Sequence, residues 1–209
     1  MKIFKRLTIA IAIIVLLVSA VAGYVQLALP DVGDAPELKL ERSPERVERG
    51  RYLAHSVMIC MDCHSSRDWT VFAGPMKPEG IGAGGERFGP EMGFPGTFYS
   101  PNITPYALAD WTDGDLFRAI TTGVNKHGRA LFPLMPYLRF GSMDVEDIYD
   151  VMAYIRSLPA VPSEVPVSKP DFPVNFLINT MPQKANFTTR PDTSDLVKYG
   201  AYIVNAAGC

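Results

Sequence analysis

Between Leu7 and Leu29 the chain carries no charged side chain; Thr8, Ser19, Gly23, Tyr24 and Gln26 alone interrupt its apolar character, and Lys2, Lys5 and Arg6 stand just before it. In lipid every backbone polar group must be satisfied internally, which leaves a helix as the form for such a stretch. At roughly 1.5 Å per residue that helix crosses a hydrocarbon core of about 30 Å, with its basic end on the cytoplasmic side. Residues 1–29 are therefore a membrane anchor or a signal segment. Ala20-Val21-Ala22 satisfies the small-residue rule for a cleavage site, whereas apolar residues continuing through Tyr24, Val25, Leu27 and Leu29 favour retention as an anchor. Both readings export the remainder of the chain. The protein is expected to be membrane-anchored with its main domain on the periplasmic side, or else secreted to the periplasm after cleavage.

The exported part has its own charge balance. Setting aside the three leading bases leaves 17 basic against 22 acidic side chains, a net charge of −5. No basic stripe for nucleic acid emerges from that balance, so no nucleic-acid partner is expected. A mildly acidic surface suits a protein partner.

Residues 30–44 form a polar, Pro-punctuated linker. A helix is expected from Glu45 to Cys60, with Pro44 in its first turn and Val47, Gly50/Arg51 and Ala54 near helical spacing. Gly74 to Gly96 is a long loop rich in Gly and Pro. Within it Gly80-Ile-Gly82-Ala-Gly84-Gly85 formally matches the G-x-G-x-x-G dinucleotide pattern. The match is rejected, because Pro75, Pro78, Pro90 and Pro95 flank it where a strand and a helix are needed. Thr112-Asp-Gly-Asp115 opens a helix with a capping pattern, and Gly123 stops it. Another helix starts near Asp144, with Ile148, Val151, Met152 and Ile155 on one stripe, and Pro159 ends it. Prolines at 159, 162, 166, 170 and 173 then give a semi-rigid extended linker, assigned to residues 162–194, and such a spacer implies something beyond it. Residues 195–209 look like the start of another helix.

Chemistry concentrates at Cys60-Met61-Asp62-Cys63-His64. Two thiols three residues apart reach the two vinyl groups on one porphyrin edge, while the following imidazole comes up under the iron. A structural zinc site needs four ligands and finds no second Cys-x-x-Cys nearby; a thioredoxin-type redox pair needs a strand and helix context that is missing. The pattern points to covalent haem c at Cys60 and Cys63 with His64 on the metal. For the sixth position the candidates are His55, His127 and the methionines. Met135, in Phe132-Pro-Leu-Met-Pro-Tyr137, has prolines on both sides that hold an extended loop stiff enough to present sulfur. Met143 is its rival, at the start of a helix; Met152 falls on a helix stripe, and His127 in Lys126-His127-Gly128 has the setting of an exposed turn.

Several segments carry a resemblance to class I c-type cytochromes: Arg49-Gly-Arg-Tyr-Leu53, Ser100-Pro-Asn-Ile-Thr-Pro105, Trp111-Thr-Asp-Gly-Asp115, Leu131-Phe-Pro-Leu-Met-Pro-Tyr137 and Ala153-Tyr-Ile-Arg-Ser-Leu-Pro159. The likeness is greatest to the membrane-anchored dihaem and multihaem cytochrome c subunits of alcohol and gluconate dehydrogenases. It covers residues 45–161 and resumes near 195. The resemblance implies an all-α fold, a cytochrome c domain behind a transmembrane helix, whose first and last helices cross with Gly50 permitting close approach and Tyr154 beside it. It also implies His64 and Met135 as the two axial metal ligands. By that reading the chain is not itself an enzyme but an electron-transfer protein or subunit, relaying electrons between a dehydrogenase or quinol oxidoreductase and an oxidase or another cytochrome. The alternative is a haem enzyme whose sixth ligand is displaceable.

Cys209 is a further cofactor-binding candidate. Tyr199-Gly-Ala-Tyr-Ile-Val204 repeats Arg49-Gly-Arg-Tyr-Leu-Ala54, and the cysteine follows Tyr202 by seven positions where Cys60 follows Tyr52 by eight. Residues 195–209 are thus expected to begin a second cytochrome c domain, with a second haem if the chain continues in the pattern Cys209-x-x-Cys-His.

Overall fold

The computed structural model describes residues 1–208, so Cys209 lies outside the described residues. Helix α1 runs Lys2–Leu27, and nearly all of its side chains are exposed. The domain beyond it is built on α2 (Pro44–Ser56), α3 (Cys60–His64), α4 (Asp113–Thr122), α5 (Tyr137–Phe140) and α6 (Val145–Ser157), with α7 (Val174–Leu177) and α8 (Leu196–Ala207) behind it.

Local chemistry sets most helix ends. The Ser43 side chain accepts from the Arg46 backbone N–H with Pro44 in the first turn; Thr112 and Asp115 form a reciprocal capping box; Asp144 caps α6. Gly123 closes α4 in the left-handed region, at φ 78°. Each cap satisfies backbone groups that the helix itself leaves unpaired.

The core sits where α2 crosses α6. Leu53, Ala54 and Val57 meet Ile148, Val151, Met152 and Ile155, all almost fully buried. Gly50 makes the crossing possible, because a Cβ there would fall 1.8 Å from the Asp150 carbonyl oxygen. Arg46 pairs with Asp150 at 2.8 Å along the same seam. Burying these apolar side chains contributes about 1.5–3 kcal/mol each relative to exposure.

Three features differ from the sequence expectation. Helix α2 stops at Ser56 rather than Cys60: the Val57 and Met58 backbone N–H groups both turn back to the Leu53 carbonyl, which buries these two side chains in the core. Secondly, the glycine-rich stretch is partly ordered into strands. β1 (Arg87–Phe88) pairs antiparallel with β2 (Gly96–Tyr99), so the fold is helix-rich rather than purely helical. Thirdly, the proline-rich segment lies along the domain. Its β3 (Lys169–Pro170) joins the edge of β2, the Asn186 and Thr188 backbone N–H groups donate to the Gly141 and Met143 carbonyls, and Arg190 reaches Asp147. Prolines encode an extended path but not the surface along which it runs.

Candidate haem site

Cys60, Cys63 and His64 occupy α3, a helix of barely more than one turn set off from α2 by Ile59 in the left-handed region at φ 48°. A β-branched residue there is strained. This turn changes the chain direction, so the two half-buried thiols and the imidazole leave from a separate helix rather than from the end of α2. Both thiols are free of any disulfide among the described residues. Burial pushes Cys60 up to about 12, and burial with the neighbouring Asp62 and Glu86 carboxylates raises Cys63. Both are therefore neutral thiols at ordinary pH, unlike the activated thiolate of a nucleophilic pair.

The imidazole is oriented from behind. His64 Nδ1 lies 2.8 Å from the Pro101 carbonyl oxygen. A carbonyl only accepts, so Nδ1 carries the proton and Nε2 keeps its lone pair for a metal. Burial lowers the His64 pKa, which holds the ring neutral. Pro101 is positioned by its neighbours. Asn102 accepts from the Thr104 backbone and hydroxyl and donates to the Val161 carbonyl at 2.9 Å. Gly84, at φ +70°, donates its N–H to the His64 carbonyl while lying flat against Pro101, where a Cβ would be 2.5 Å from the Pro101 carbonyl carbon. The glycine run that mimicked a dinucleotide loop thus wraps the attachment helix.

Met135 is half-buried and packs, like Cys60, against the main core. Its loop is joined to the His64 side of the domain by four phenylalanine rings. Phe132 stacks on Phe98 at 4.2 Å between centroids, Phe94 meets both edge-on, and Phe88 meets Phe94. Phe98 is three residues before Pro101 and Phe132 three before Met135, so this cluster joins the strand that leads to Pro101 to the loop that carries Met135. Sequence reasoning missed it; the spacing of the phenylalanines is visible, but their convergence is not. Beside Met135 the Tyr137 hydroxyl is buried with no protein partner among the described residues, an orphan that a bound group or water would satisfy.

The other candidates have settled roles. Met143 is 1% exposed and belongs to the core, as do Met58, Met61 and Met152. His55 Nε2 lies 2.7 Å from the Tyr154 hydroxyl and its ring meets Tyr154 edge-on. His127 is exposed in a turn held by Asn125. Two neutral thiols and one oriented, neutral imidazole on a single short helix fit covalent haem c.

No protein-family model matches the chain. One subunit of the nicotinate dehydrogenase of Pseudomonas putida is 31% identical over 79% of this chain and 14% of its own length. The cytochrome c subunit of the alcohol dehydrogenase (quinone) of Gluconacetobacter polyoxogenes is 29% identical over 78% of the chain and 34% of its own length. For the gluconate 2-dehydrogenase cytochrome c subunit of Pantoea cypripedii the values are 36%, 52% and 22%. The chain spans about a third or less of the length of these relatives. Relatives at about 30% identity thus include cytochrome c subunits of alcohol, gluconate and fructose dehydrogenases and a dihaem c-type cytochrome, the class whose motifs this chain carries.

Proposed function

We propose that the chain carries electrons through a haem c that Cys60 and Cys63 would bind by thioether links and whose iron His64 and Met135 would hold. The observation that supports this most is the lock on His64: Nδ1 is engaged by Pro101 and Nε2 has no partner among the described residues, on the same short helix as two neutral thiols. Haem c held by these residues would supply an iron able to take up and release one electron, at a potential that a thioether ligand from Met135 would raise relative to a second imidazole. The protein's part is to fix the ligands. Pro101 holds the imidazole tautomer, Pro133 and Pro136 stiffen the thioether loop, and the phenylalanine cluster keeps the two sides together, so a change of charge need not move the frame.

In this reading the chain is the electron-transfer part of an oxidoreductase assembly, with a dehydrogenase or quinol oxidoreductase as donor and an oxidase or another cytochrome as acceptor. Helix α1 anchors it, with the domain on the periplasmic side. Residues 195–209 open a second cytochrome c domain whose first attachment cysteine is Cys209, a reading supported by the repeat of the Gly50 and Tyr52 pattern at Gly200 and Tyr202. The next codons test it: two variable residues followed by Cys-His are expected, and a stop codon there would refute it.

Replacing Met135 by Ala tests the ligation. The weak sulfur-to-iron absorption of the oxidised form should disappear and carbon monoxide should bind the reduced form readily, whereas Met143→Ala and His127→Ala should retain the band. An unchanged spectrum in Met135→Ala would rule Met135 out as the ligand, and tight carbon monoxide binding by the unaltered protein would favour the enzyme with a displaceable ligand.

A further inference from the structure

We infer that Phe172–Met181, within the proline-rich segment, is a membrane-interface element that clasps the outer end of α1 and seats the domain on the lipid surface. The inference rests on α1 spanning the bilayer.

Its level relative to the membrane is set by the residues it touches. Helix α7 and the 3-10 turn that continues it, Ile178–Thr180, pack on α1. In the last turns of α1, on the side of this contact, Val25 is buried and Ala22 half-buried. From Leu7 to Leu27 an α-helix advances about 30 Å, the thickness of the hydrocarbon core. Val25 therefore falls within about 3 Å of the outer hydrocarbon boundary and Ala22 about 8 Å inside it. An element resting on these residues lies at the depth where interfacial helices bury their apolar sides, about 5–10 Å into the boundary region.

The chemistry of the segment agrees with that level. From Phe172 to Gln183 it carries no charged residue. Phe172 is 82% exposed and Leu177 42% exposed, which in water would waste apolar surface. Tyr24, 61% exposed on α1, adds an aromatic ring at the same height, where tyrosines concentrate in membrane proteins. The segment's side-chain hydrogen bond to α1 is also apt. The Asn179 amide donates to the Val25 carbonyl at 3.4 Å, one of the last four carbonyls of α1, which have no partner within the helix. Where water thins out, such an unpaired carbonyl is costly, and the clasp supplies a donor.

The partner committed to is the phospholipid interface of the outer face. In the full chain, in its native membrane, Phe172, Leu177 and Leu16 are each replaced singly by p-benzoylphenylalanine, irradiated and analysed for mass adducts. Positions 172 and 177 are exposed, so the fold tolerates the probe. Lipid adducts at all three are expected. An adduct at 16 with none at 172 and 177, or protein adducts there in place of lipid, would overturn the clasp while leaving α1 as a span. No lipid adduct at 16 would overturn the spanning reading, and the clasp with it.

Discussion

Helices α2 and α8 share a pattern in sequence and differ in what they do with it. In α2 the glycine faces the core: a Cβ at Gly50 would collide with the Asp150 carbonyl and lie 2.9 Å from the Tyr154 Cβ, and Leu53 and Ala54 beside it are fully buried. In α8 the corresponding Gly200 has nothing within 4 Å, and Val197 and Val204 on that side are exposed. The domain is met instead by Tyr199, Tyr202, Ile203 and Ala206. A repeated sequence can therefore specify a repeated helix without specifying which face is used. The choice here is made by Asp147, a fully buried carboxylate in the first turn of α6 that gathers Arg49, Arg190 and the Tyr202 hydroxyl, the last at 2.7 Å. Under the two-domain proposal the idle glycine face of α8 is the one a second domain's own crossing helix would cover.

The largest effect expected is at Gly50. Gly50→Ala forces the α2 and α6 backbones apart and should cost about 3 kcal/mol or more, lowering the midpoint of thermal unfolding by roughly 6–12 °C. A midpoint within a degree or two of the parent would mean that the glycine crossing does not hold the domain together. Asp147→Ala comes next, at about 2–4 kcal/mol, because it leaves three donors without their acceptor; partly exposed Arg49 and Arg190 can rehydrate, which limits the loss. Limited proteolysis should also cut this variant before α8, whereas equal resistance would show that Asp147 is no latch. Tyr202→Phe removes one charge-assisted hydrogen bond and should cost about 1–2 kcal/mol by the same unfolding measurement. Gly200→Ala is the smallest and has the opposite sign, a gain of about 0.5–1 kcal/mol from helix propensity alone. In a longer chain bearing a second domain the same substitution should turn destabilising, and a continued gain there would remove the reason for pairing the two helices.

What the sequence made legible was chemistry acting over a few residues. Ser43, Thr112 with Asp115, Gly123 and Asp144 each mark a helix end because a side chain or a left-handed glycine settles backbone groups nearby. The candidate haem residues Cys60, Cys63 and His64 stand out in the same way, since the proposal for them rests on spacing alone, and the structure adds that they share one short helix. Contacts between distant segments were not legible. Nothing local announces that Pro101 backs His64, that four phenylalanines join its strand to the Met135 loop, or that Asp147, which suits the start of a helix by its charge, ends fully buried among three donors. The early end of α2 has the same origin: a helix to Cys60 is the expectation, but burying Val57 and Met58 outweighs four further residues of helix.

Covalent attachment at Cys60 and Cys63 is the claim on which the electron-transfer reading depends. The full chain, produced with a haem-attachment system, is denatured and extracted with acidified acetone beside its Cys60→Ala/Cys63→Ala counterpart. Colour should stay with the precipitated polypeptide of the parent and leave with the solvent from the double variant; colour that leaves the parent would contradict the account.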